Sequence, residues 1–480
     1  MTRQQKQAHT DDRADSPSKL PPRFDQVRRF WQEPNVEQAL LHADIMTTTA
    51  HVHMLAETGI VDKQVATEVL KALNQIASDL LDGKSPLSAE DPDIHVAVHR
   101  RLQELIGEKA DVVRIAKSHN DQIATDIRLW LRGQTMEIFE RLLSLRGDFI
   151  ALAQRDIEAI MPGYTHMQPA MPILLSHWWL ANEARFRRDF QRLQDVYKRL
   201  NVLPLGACQL AGTNYPIDRE LVARFLNFDA VMENSLDAVC DRDYLIDFAS
   251  FASLLGLHIS QMASELLLWS TQEYGFVRLP RAFVFRSQSM PQKRNAELLE
   301  ILRSRPSLLS GRLMEFLSEL KGLSLSFSQD LQECLPGLLD VVDNLKFILE
   351  LAHVLLPVLK IDVERMREKA KSDLTNASNA VDFLVDRDMS VDKASKIVES
   401  IIAYCKERGR NLADLTMNEW SLFSPAFNHD IYEYVSLEHS VDSRDSFGGT
   451  SHEQVQQALN RAANTLESDR NSITKLSIER

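Results

Sequence analysis

The sequence predicts an all-α protein: an elongated central bundle of long helices with a smaller helical domain at each end. Three observations carry that reading. Only 16 of the 480 residues are glycine, strand-like alternation bounded by turn residues is hard to find, and apolar residues recur at helical spacing through the middle of the chain. Between Leu338 and Leu356 the positions Leu338, Val341, Val342, Leu345, Ile348, Leu349, Ala352, Leu355 and Leu356 follow the i, i+3, i+4, i+7 rule. That spacing predicts one long amphipathic helix, stopped or kinked at Pro357.

Taken in order, residues 1–20 are rich in Gln, Asp, Lys, Ser and Pro and read as a disordered arm. Residues 21–117, with shorter helical runs and more turn residues, read as an N-terminal helical domain. The central bundle spans 118–361, with further long helices over Asp121–Ile160, Met171–Leu200, Ser235–Tyr274, and Asn295–Leu320 with a kink at Pro306. Residues 362–480 read as a C-terminal helical domain. The most apolar stretch, Ile246–Trp269, is interrupted by His258, Gln261 and Glu265, which are costly against lipid, so it reads as a helix buried in protein. Wide apolar faces on the central helices suit either a filled monomer core or packing between subunits, and composition does not choose between them.

The formal charge of -13 leaves no excess of Lys and Arg for phosphates, which argues against nucleic acid and anionic membranes as partners. An anionic substrate needs a local basic pocket instead. The four cysteines, Cys208, Cys240, Cys334 and Cys405, are far apart and lack metal-site spacing, so neither structural zinc nor a disulfide framework is expected. A reducing cytoplasm fits this usage. The N-terminus lacks the apolar core of a secretory signal.

Three polar segments interrupt the helical pattern: Lys117–Gln122, Met161–Pro169 and Arg286–Asn295. Each is read as lying at or just before the start of a long helix, where unpaired N–H groups and the helix dipole favour carboxylates. Alone, each is explained by a cap and a turn. Together, rich in Ser, Thr, Asn, Lys and His, they point to a site for a polyanion.

These segments resemble the signature regions of the fumarase/aspartase superfamily, whose third region commonly reads Gly-Ser-Ser-x-Met-Pro-x-Lys-x-Asn. Here it reads Arg286-Ser287-Gln288-Ser289-Met290-Pro291-Gln292-Lys293-Arg294-Asn295. Within the superfamily the chain is most similar to the argininosuccinate lyases, through Ser118-His119-Asn120-Asp121-Gln122-Ile123-Ala124-Thr125-Asp126. The similarity extends through Pro204–Gly206, Ala211–Thr213, Tyr215–Arg219, Asn234–Asp243, Phe423–Pro425 and Phe447–Thr450. It covers nearly the whole chain, from about Ala50 to about Gln457.

The resemblance implies a lyase that removes the proton beside a carboxylate, expels nitrogen from the neighbouring carbon and leaves fumarate. Ser287 matches the family's base. Lys293 and Asn295 match residues that hold the aci-carboxylate, and Ser118, Asn120, Thr165 and Arg242 match others around the succinyl half. Preorganised donors of this kind contribute about 10²–10³ each in rate. His166 matches the residue that helps protonate the departing nitrogen, with Glu300 its partner by position. A carboxylate beside a histidine orients the ring and makes it a usable acid near neutral pH. The resemblance further implies a homotetramer whose sites are shared between subunits, and chemistry that needs no metal or organic cofactor.

Departures cluster where the family holds the amine half. The family's Tyr falls on Phe327 and its Lys on Leu335, while Gln332 is retained. The Arg of the first motif is His119. Glu33 stands where a Ser ligand belongs, Arg286 replaces the Gly before the base, and Ala296 replaces a Pro. Losing the Lys removes a charge-assisted contact to an amino-acid carboxylate, about 1.5–3 kcal/mol. Two enzymatic readings therefore stand: cleavage of argininosuccinate, or of another N-succinyl compound with a different leaving amine. A third is an inactive, crystallin-like structural protein, against which the joint retention of Ser287, Lys293, Asn295, His166 and Glu300 weighs.

Overall fold

In the computed structural model, which describes residues 34–88, 91–372 and 374–478, several helices begin at side chains that cap them. The chain divides into two compact units, one ending at Ile115 and the other beginning at Ala116. The arm expected at 1–20 and the position of Glu33 lie outside the described residues.

The first unit packs α1 (Pro34–Glu57), α2 (Lys63–Leu81) and α3 (Ile94–Ile106), followed by a 3-10 turn over Gly107–Arg114. Asp62 caps α2 by accepting from the Gln64 and Val65 N–H groups, and Asp93 caps α3 by accepting from Val96. Leu41, Val52, Leu55, Val69, Leu73, Ala97 and Leu102 fill the space between them.

The second unit is built on four long helices: α4 (His119–Arg155), then, after a hairpin of β1 (Ile160–Thr165) and β2 (Gln168–Leu174), α5 (Leu175–Leu200) and α8 (Asp243–Trp269), and later α11 (Asp330–Leu355). Short elements join them: β3 (Val202–Leu203) paired in parallel with β4 (Ala230–Val231), α6 (Arg219–Leu226) and α7 (Ser235–Cys240). The bundle is a well-filled core, with Phe139, Phe149, Trp179, Phe186, Phe190, Phe248 and Leu345 buried. The apolar α8, long enough to cross a membrane by length and composition, buries Phe248, Phe251, Leu255, Ile259, Met262 and Leu266 in the bundle. Gly256 marks a close approach there: a β-carbon would lie 2.9 Å from Leu309 and 3.0 Å from Pro306.

Several boundaries differ from expectation, each for a local reason. The helix expected to reach Ile160 stops at Arg155, and the one expected from Met171 starts at Leu175. Pro162, Pro169 and Pro172 cannot donate helical bonds, and the intervening residues pair as an antiparallel hairpin. The Ser235–Tyr274 helix breaks at Asp241, whose carboxylate accepts from the Asp243 N–H at 2.9 Å and starts α8 anew. The Asn295–Leu320 helix is two, α9 (Glu297–Ser304) and α10 (Ser307–Leu320), with Pro306 capping the second. In α11 the helix extends eight residues before Leu338, through Pro336.

Beyond β8 (Lys360–Ile361), which pairs antiparallel with β5 (Val277–Arg278), come α12 (Val363–Ser372), α13 (Ala377–Val385), α14 (Val391–Arg408), α15 (Met417–Phe423), α16 (Ile431–Tyr434) and α17 (Leu437–Asp442). Phe383, Leu384, Val398, Ile401, Trp420, Phe427 and Ile431 form a separate core. The closing helix α18 (His452–Ile478) leaves it and packs along α4 and α5. The fully buried Arg146 of α4 pins it, reaching Glu183 of α5 at 3.0 Å and Asp469 of α18 at 2.7 Å.

Candidate active site

Ser118 stands at the N-terminus of α4 in a capping box: its hydroxyl accepts from the Asn120 N–H at 3.4 Å, and Asp121 accepts from the Ser118 N–H at 3.0 Å. Asn120 donates its side-chain amide to the Gln209 carbonyl at 3.0 Å. His119 meets the start of α11, where Gln332 lies 3.1 Å from its Nε2 and Phe327 stands edge-on with ring centroids 6.0 Å apart. Pro336, lacking an N–H, withholds the donor that would close on the Gln332 carbonyl. Thus Ser118, His119, Asn120, Phe327 and Gln332 converge at one end of the bundle. Leu335, one turn further along α11, is buried in the core.

Arg242 is the residue that precedes α8. It is 2 % exposed, and its Nη1 donates to the Asp241 carbonyl, while Nε and Nη2 meet no acceptor. A buried cation with donors to spare is costly without an anion to receive them. Three long helices, α4, α8 and α11, start at this end, and their dipoles add to the preference for negative charge.

The second segment is not a helix start. Thr165 and His166 sit at the exposed tip of the β1–β2 hairpin, with Thr165 paired to Gln168. Both turn residues are left-handed, His166 at φ 53° and Met167 at φ 60°. That is the backbone of a two-residue primed turn, which ordinarily selects Asn-Gly. The hairpin base is held by Thr450, whose hydroxyl accepts from the Leu174 N–H at 2.9 Å.

The third segment closes a short ladder of β6 (Phe285–Arg286) and β7 (Arg294–Asn295), and leads into the eight-residue α9 rather than a long helix. Ser287 Oγ accepts from the Met290 N–H at 3.2 Å and lies 3.4 Å from Ser289 Oγ. Lys293 and Glu300 are exposed, and Asn295 is half-buried, donating weakly to Glu297 at 3.4 Å. Among the described residues no hydrogen bond or ion pair joins Thr165 or His166 to Ser287, Lys293, Asn295 or Glu300.

Distance also separates the first segment from the second. The 37 residues of α4 span about 55 Å at 1.5 Å per residue. From Arg155 the chain can return at most about 35 Å by Thr165, so Ser118 and Thr165 of one chain stay at least about 20 Å apart. Sequence reasoning gave no role to Asp121, although the Ser-x-x-Asp spacing of a capping box was visible.

The helical bundle and its three polar segments define a lyase of the fumarase/aspartase superfamily. A family model described as Lyase matches residues 22–307, and one described as Argininosuccinate lyase C-terminal matches 374–442. The argininosuccinate lyase of Synechococcus sp. (strain JA-3-3Ab) is 41 % identical, covering 91 % of this chain and 89 % of that protein. That of Syntrophotalea carbinolica is 39 % identical, covering 91 % and 95 %. Among solved structures, EDDS lyase in complex with formate superposes with a TM-score of 0.83 at 24 % identity, covering 93 % of each chain. Class II fumarase from Schistosoma mansoni gives 0.72 at 15 %, covering 86 % and 94 %. The chain belongs to the argininosuccinate lyase family and is a carbon–nitrogen lyase of that type.

Proposed function

We propose that this lyase splits an N-succinyl amino compound into fumarate and an amine at sites shared between the subunits of a homotetramer. The observation that carries the succinyl half is Arg242, a buried cation with two unspent nitrogens at the start of α8, at the end of the bundle where α4 and α11 also begin. The minimum of about 20 Å between Ser118 and Thr165 supports shared sites, since no succinyl group bridges it.

In the reaction, Ser287 takes the proton from the carbon beside a carboxylate. The Met290 N–H already directed at Ser287 Oγ favours its alkoxide. Lys293, Asn295 and Arg242 hold the negative charge as it spreads onto the carboxylate, and Ser118, Asn120 and Thr165 fix the four-carbon skeleton. The carbon–nitrogen bond then breaks. His166, paired with Glu300 of another subunit, supplies the proton to the departing nitrogen. The chain's four free thiols suit a reducing cytoplasm.

Argininosuccinate, whose cleavage completes arginine synthesis, is the first substrate to test. A different leaving amine is favoured by one observation: Phe327 offers no hydroxyl, and Leu335, 4 % exposed, offers neither charge nor access. Release of fumarate from a panel of N-succinyl compounds, followed by its ultraviolet absorbance, decides between them. Failure of every N-succinyl compound to yield fumarate would end the proposal.

A further inference from the structure

Beside the start of α4 the chain turns left-handed at two non-glycine residues, Ala116 and Cys208, each at φ 53°. A β-carbon disfavours that conformation, which persists where its surroundings over-determine it. The two residues touch, the Cys208 thiol donating to the Ala116 carbonyl at 3.2 Å. Against them lies Asp121, fully buried. Its Oδ1 accepts from the Ser118 N–H at 3.0 Å, and its Oδ2 accepts from the N–H groups of Gly206 at 2.9 Å and Cys208 at 2.8 Å. One carboxylate thereby ties the helix cap to a loop more than eighty residues away in sequence.

The far side of that loop is equally fixed. Arg219 donates to the carbonyls of Leu203, Pro204, Leu205 and Met232. Gly206, at φ 92°, approaches it so closely that a β-carbon would lie 2.7 Å from Arg219 Cγ. Asn120 completes the link through the Gln209 carbonyl.

We propose that Asp121 is a positioning residue, a latch that holds Ser118 and Asn120 against the 204–209 loop in the geometry that receives the succinyl carboxylate. It rests on the reading of Ser118 and Asn120 as substrate-binding groups. Three N–H donors converge on two oxygens, which a carboxylate accepts and a carboxyl, carrying its own O–H, does not. The groups facing it are Lys117, the Cys208 thiol and the Arg219 guanidinium. Burial pushes its pKa up to about 6 against the opposing pull of the three N–H groups and Lys117. Acidification through that value opens the latch.

The test uses the full-length enzyme and Asp121→Asn, whose amide sets an N–H against a backbone N–H. Protection from hydrogen exchange at the Ser118, Gly206 and Cys208 amides is expected to fall about tenfold, with mid-helix amides of α4 unchanged. The fumarate inhibition constant and KM are expected to rise about tenfold, with a smaller fall in kcat. Between pH 7.5 and 5.5 the wild type should lose fumarate affinity severalfold, a loss that should be absent from the variant. Stability separates the latch from a purely structural group. The folded pKa lies above the ordinary 3.8, so Asp121's contribution to stability falls as pH rises from 3.8 to about 6, whereas fumarate affinity rises.

Unchanged protection at the three amides, or released amides with KM and inhibition constant within twofold of wild type, overturns the proposal. Should Asp121→Asn not fold, the wild type decides alone: protection at these amides that holds from pH 7.5 to 5.5 overturns the latch, and its selective loss supports it. A wild type that binds no fumarate defeats the substrate reading, while the exchange data still decide the latch.

Discussion

A serine hydroxyl becomes a base only if its alkoxide is stabilised, and at Ser287 the Met290 N–H, held 3.2 Å away by the loop, is the donor in place. Ser287→Ala should lower kcat by about 10³ or more while fumarate still binds. Comparable loss of fumarate affinity would make Ser287 a binding group instead. The amine half carries a second prediction. Phe327→Tyr should raise turnover of argininosuccinate, and adding Leu335→Lys should raise it further if the ammonium can snorkel out of a position now buried. Should the unaltered enzyme already cleave argininosuccinate at about 10⁴ M⁻¹s⁻¹ or faster, the altered-amine reading fails. At this scale the sequence displays the candidate residues as contiguous motifs such as Ser118–Asp121. It hides Asp121's partners, Gly206 and Cys208, because backbone N–H groups have no residue type to read.

Among the elements, the β1–β2 hairpin places His166 and Met167 where glycine and asparagine are at ease. Met167 is 66 % exposed, so Met167→Gly removes little packing and should stabilise the fold by about 1 kcal/mol, read from denaturant unfolding. A destabilised variant would show that Met167 is held by contacts across a subunit boundary. Helix periodicity revealed the long central helices but not their ends. The break at Asp241 contains neither Gly nor Pro and rests on a side-chain cap, and the hairpin at 160–174 is signalled by prolines that also fit a helix start. The return of α18 to the bundle depends on Arg146 meeting Asp469, 323 residues apart, which no local pattern records. Arg146→Met should destabilise by about 3–5 kcal/mol, because it leaves Glu183 buried without its partner. A thermal midpoint near that of wild type would show that water relieves the carboxylate.

For the whole molecule, the separation of Ser118 from Thr165 sets the expectation that catalysis belongs to the assembly. Mixing inactive Ser287→Ala chains with inactive His166→Asn chains, denatured and refolded together, should restore about one quarter of wild-type activity by random assembly. Each intact site then takes its serine from one kind of chain and its histidine from the other. No recovery, or an active monomer in sedimentation, would sink the shared-site reading. The bundle itself was legible from periodicity, and the three signature segments from their composition; assembly was not, because apolar faces look alike whether they meet within a chain or between chains.

The length of α4 has a further consequence, which concerns dilution. If Ser118 and Thr165, at least about 20 Å apart in one chain, serve one shared site as proposed, activity per molecule becomes a function of protein concentration. On dilution below the assembly's dissociation constant, mass action removes subunits and intact sites disappear together with them. Specific activity should therefore fall as enzyme is diluted, with a lag before it recovers on reconcentration, and fumarate, by bridging chains at the same site, should slow the decline.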